Sequence, residues 1–89
     1  MDYWAAPYTH LLWQVSQTDS FSARNKLYSQ MIPMLLADPL LDTLLPSDSH
    51  FAQSLLVICA HIHNSPYTSP SLFSLSSKLQ DKVFLVLGI

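Results

Sequence analysis

The chain contains no glutamate. Its acidic residues are Asp2, Asp19, Asp38, Asp42, Asp48 and Asp81, and its basic residues are Arg24, Lys26, Lys78 and Lys82. Charged residues make up 11% of the 89 positions, where soluble domains average about 25%. The Glu–Lys pairs that usually support the solvent side of a helix are therefore missing. Ser, Thr, Gln and Asn stand in their place and are mostly poorer helix formers, so any helices must depend on packing. The net charge is -2, and the bases form one close pair and one pair four residues apart. Nucleic acid has no electrostatic footprint to hold. The lone cysteine, Cys59, excludes an internal disulfide and fits a reducing compartment, so a cytoplasmic location is expected. The lone glycine, Gly88, excludes flexible glycine linkers and a glycine-rich oxyanion loop. No apolar run approaches the roughly 18 residues of a membrane span. The longest, Phe51 to Ile62, is broken by Gln53, Ser54 and His61. An N-terminus with Asp2 and no basic cluster predicts no secretory leader. A membrane-surface helix is disfavoured for want of a Lys/Arg-rich face.

Apolar side chains, by contrast, make up 49% of the chain, and from Asp48 to Lys78 no formal charge intervenes if the histidines are neutral. A domain this small buries only about 60% of the surface its unfolded chain exposes. The apolar residues outnumber the places available in one core. Either a partner covers the excess or the protein sits near its solubility limit.

Six prolines, at 7, 33, 39, 46, 66 and 70, mark helix starts and stops. Tyr8, Leu11, Leu12 and Val15 follow one helical stripe, which predicts a first helix near 7–17. Asp19 or Ser20 can cap a second, whose apolar face is Phe21, Leu27, Tyr28, Met31, Ile32 and Leu35. Pro33 is expected to kink or restart it near Gln30. Asp38-Pro39 is a cap followed by a first-turn proline, leading into Leu40, Leu41, Leu44 and Leu45 until Pro46 intervenes. Ser47-Asp48-Ser49 caps the longest helix, near 49–63, which is apolar nearly all round. Ser69-Pro70 opens another, near 70–79. Residues 81–89 include the β-prone run Val83 to Leu87 and are read as a separate short buried helix. The expectation is a single all-α domain over 1–89, whole or part of a larger assembly, built as a small bundle or repeat-like array of about four to six short helices.

Cys59-Ala60-His61-Ile62-His63 is the cluster closest to chemistry. Cys59 and His63 lie four apart on one helix face, as two metal ligands would, with His10, Asp48 and His50 as further donors. The plainer reading makes Cys59 a small core residue and places the histidines at a helix end, where the dipole favours them. Thiol catalysis lacks an orienting third group. Asp38 and Asp42 read as a cap and a solvated position rather than a catalytic carboxylate pair. No cofactor is expected.

From Ser49 to Leu79 a greasy helix, a polar turn at His63 to Pro66, an aromatic at Tyr67 and a second helix resemble one tetratricopeptide-like helix hairpin. Small chaperones of bacterial type III secretion resemble this in size and in being built from such units. The resemblance implies a protein that shields a sticky partner subunit.

These readings converge on a non-enzymatic protein–protein interaction module: an adaptor, a complex subunit or a small chaperone. It would bury an apolar helical surface against another protein, with Trp4, Tyr8, Trp13, Leu56 and Phe84 as the expected contact residues. The alternatives are a self-assembling homo-oligomer, a metal- or thiol-dependent enzyme centred on Cys59 and His63, and a lipid-associated protein.

Overall fold

Each helix begins where a short polar side chain or a proline can satisfy or spare the first backbone N–H groups. The structure, a computed structural model describing residues 3–88, contains α1 (Ala6–Ser16), α2 (Phe21–Ala37), α3 (Pro39–Leu44), a 3-10 turn (Leu45–Ser47), α4 (Ser49–Asn64) and α5 (Pro70–Leu87). There is no strand among the described residues. The Ser20 side chain accepts from the Ala23 N–H at 3.4 Å, Asp38 from Leu40 at 2.9 Å, Asp48 from Phe51 at 3.2 Å and Ser69 from Leu72 at 3.2 Å. Gly88 closes α5 in the left-handed conformation, φ 73°, which a residue with a Cβ adopts only under strain.

Two boundaries differ from the sequence expectation. Pro33 does not interrupt α2, which runs unbroken from Phe21 to Ala37. Pro33 faces outward, while Met31, Ile32 and Leu35 on the opposite side are buried. Packing on both sides of the lost hydrogen bond outweighs it. The segment 81–87 is not a separate helix but the continuation of α5. Leu72, Ser76, Leu79 and Val83 are all buried along it, a stripe of helical spacing that passes through Asp81 and Lys82 without a break. Burial on one face decides the conformation over the β-prone composition of 83–87.

α4 and α5 form an antiparallel hairpin across the turn at 65–69. Cys59 donates to the Ser76 carbonyl at 3.5 Å, and near the turn the His63 ring packs on Phe73 at a tilt of 32°, ring centres 4.6 Å apart. α5 also packs against α2 and the 3-10 turn, so it forms the floor on which the rest is laid. Lys82 ties that floor to α2 and α3, donating to the Leu36 carbonyl at 3.2 Å and pairing with Asp42 at 3.6 Å. Leu35, Leu41, Leu45, Leu55, Leu79 and Val83 are fully buried at the centre. In the turn itself Phe21 stacks on Tyr67 at 4.5 Å, and Asn25 donates to the Tyr67 carbonyl at 3.0 Å.

The accessible surface is 5507 Å², close to the roughly 5,200 Å² expected of a monomer of this mass. The molecule hides its area as well as other proteins of its size. What is unusual is the kind of side chain left outside.

Candidate functional site

α1 contains no charged residue, so its placement rests on aromatic packing and on two tyrosine hydroxyls. The Trp4 ring meets Phe51 edge-on at 5.3 Å and Tyr8 at 6.4 Å, and the Tyr8 ring lies 6.0 Å from Phe51. Such edge-to-face pairs are the favoured aromatic geometry. Tyr8 donates its hydroxyl to Asp38 Oδ2 while Asp38 Oδ1 caps α3. Tyr3 donates to Asp48 Oδ2 while Asp48 Oδ1 caps α4. Each aspartate therefore starts one helix and with its second oxygen holds α1, in the case of Asp38, or the residues leading into it, in the case of Asp48. The cap role of both is legible in the sequence; the tyrosine link depends on long-range folding and is not.

These links bias protonation at both ends of the pH scale. The Tyr3 hydrogen bond, ahead of the backbone N–H of Phe51, holds the Asp48 carboxyl below its ordinary value. Loss of hydration, then the hydrogen bond and charge of the facing aspartate, push the Tyr3 and Tyr8 phenols up to about 12. A depressed carboxyl stabilises the fold above its unfolded pKa of about 4, and that contribution is lost as pH falls. A raised phenol stabilises the fold below its unfolded value of about 10, and that contribution is lost as pH climbs toward 12. Melting temperatures followed by circular dichroism are expected to fall below about pH 4 and above about pH 10. Asp48→Asn should flatten the acid limb and Tyr8→Phe the alkaline limb. Unchanged limbs in these variants would remove the assignment.

Of the five expected contact residues, Trp13 is 59% exposed, while Trp4, Leu56 and Phe84 are half-buried. Trp4 and Leu56 rest against the core. Tyr8 is corrected: at 5% exposure it belongs to the core and presents nothing to a partner. The most exposed aliphatic residues lie outside the expected set: Leu85 at 81% and Val57 at 50%.

Two open grooves flank α1. One, about 430 Å³, lies between α1 and α2 and is lined by Trp13, Gln14, Gln17, Ala23, Lys26 and Leu27 among others. The other, about 470 Å³, lies between α1 and α4 and is lined by Leu12, His50, Gln53, Ser54, Val57 and Ile58. Consecutive residues of one helix, Leu12 and Trp13, thus serve both grooves. The His10 ring stacks on the Trp13 indole, 6.3 Å away and 17° from parallel, and contacts Gln14 at 3.4 Å.

The cysteine–histidine cluster is dispersed by its own helix. Cys59 is fully buried, and burial pushes its thiol up to about 11. His63 is half-buried against Phe73, with Ser77 Oγ 3.3 Å from its Nε2, and His61 points to solvent. Among the described residues no group of three or more His, Cys, Asp or Glu side chains is placed to hold a metal ion. No described helix is long and apolar enough to cross a membrane.

No family model, curated protein or solved structure matches this chain.

Proposed function

We propose that the chain is a non-enzymatic protein–protein interaction module of the cytoplasm, acting as an adaptor, a complex subunit or a small chaperone. It buries the apolar surface around α1 against a helix of its partner. The observation that carries this reading is Trp13, an indole left 59% exposed on a charge-free helix between two grooves. Trp is among the residues most enriched at binding hot spots. Trp13 is not among the residues buried in or resting against the core, so packing of the monomer does not explain it. The α4–α5 hairpin supports the resemblance to a tetratricopeptide-like unit, and with it the small-chaperone form of the proposal. The lone thiol supports the cytoplasmic setting.

The test is the double variant Trp13→Ser, Val57→Ser. Both positions are half or more exposed, so helicity should hold and the unfolding free energy from a urea titration should stay within about 0.5 kcal/mol of the parent. Capture from native lysate should lose the protein retained by the parent. A variant that keeps the same captured protein, or one that unfolds, removes the assignment.

A further inference from the structure

We infer that the partner is a second copy of this chain, joined about a two-fold axis so that Trp13 of each copy enters the α1–α4 groove of the other. This rests on the reading of α1 as an interaction surface. In a two-fold association the same patch serves both sides, so it must carry the projecting part and the receiving part together. Here they are adjacent: Trp13 projects, and Leu12, the residue before it, lines the groove with Val57 and Ile58. The groove holds about 470 Å³, ample for one indole.

Charge points to the same occupant. Neither α1 nor α4 contains an Asp, Lys or Arg residue, and the chain has no Glu. Two copies can face each other across these helices without like charges meeting. The polar side chains of the α1–α4 groove are His50, Gln53 and Ser54, and His10 and Gln14 stand beside Trp13. Each of these carries both a donor and an acceptor, and the one charged neighbour, Lys26, lines the opposite groove, between α1 and α2. Such groups can pair with copies of themselves, as ammonium or carboxylate groups cannot. A charged partner would lose hydration here and find no counter-charge from either helix. A standard interface takes about 800 Å² from each partner, roughly a seventh of the 5507 Å² surface.

Sedimentation equilibrium of the full chain over a dilution series is expected to show a reversible monomer–dimer equilibrium. Trp13→Asp alone and Val57→Lys alone should each raise the dimer dissociation constant at least about 30-fold while circular dichroism stays unchanged. Mixing the two variants should restore a one-to-one dimer, because one contact becomes an ion pair and the other remains the native Trp13–Val57 contact. A parent that is monomeric throughout, a dimer indifferent to both substitutions, or a mixture that stays monomeric overturns the inference. If the parent is monomeric but the double Ser variant still loses a captured foreign protein, the second copy is removed and the interaction reading stands. If nothing is lost, both fall.

Discussion

Tyr8→Ala is expected to destabilise the isolated chain by about 3–5 kcal/mol, the cost of truncating a large aromatic in a packed interior. The ring fills the space between Trp4 and Phe51, and its hydroxyl anchors α1 to Asp38. A domain of this length has roughly 5–13 kcal/mol in total, so the substitution removes a large share of it. In urea the midpoint should fall sharply with little change in slope. The contrast with Trp13 is the informative part. Both are aromatic residues of α1, five positions apart, yet truncation at 8 should weaken the fold and truncation at 13 should disarm it. A Tyr8→Ala variant with an unchanged midpoint would show that the α1 contacts are not as described.

The native Cys59 thiol should react with a maleimide at least about 100-fold more slowly than the same thiol in the urea-unfolded chain, because the thiolate is the reacting species. Burial raises its pKa from 9.0 to about 11, which alone lowers the thiolate fraction by that factor near neutral pH. The fully buried side chain, turned toward the Ser76 carbonyl, adds steric protection. Equal rates in the two states would contradict the packing of α4 on α5. They would also reopen a thiol nucleophile at this position, which requires access and a lowered pKa.

Local chemistry was readable in the sequence, and long-range partnership was not. Asp38-Pro39 and Ser69-Pro70 name their helix starts because a cap followed by proline acts within three residues. Pro33 misleads because its local effect is opposed by Met31, Ile32 and Leu35, buried on the far side of the helix. The run 83–87 misleads for the converse reason: its composition speaks for strand, but the stripe from Leu72 through Leu79 already extends to Val83. The difference between Tyr8 and Trp13 was available. Tyr8 belongs to the stripe with Leu11, Leu12 and Val15, whereas five residues of helix carry Trp13 about 140° round from Tyr8. Residue type does not separate the two aromatics; the helix face does. The grooves themselves depend on how far α1 diverges from α2 and α4, which no local pattern encodes.

The central place of α5 has a consequence during synthesis. α2 and α4 both rest on it, yet it is the last of the described helices to be made. At about 5–20 residues per second, the first four helices emerge from the ribosome and wait, oily and unsupported, until Leu79 and Val83 arrive. Folding of this domain therefore waits for α5, and the nascent chain is at its stickiest just before that helix emerges.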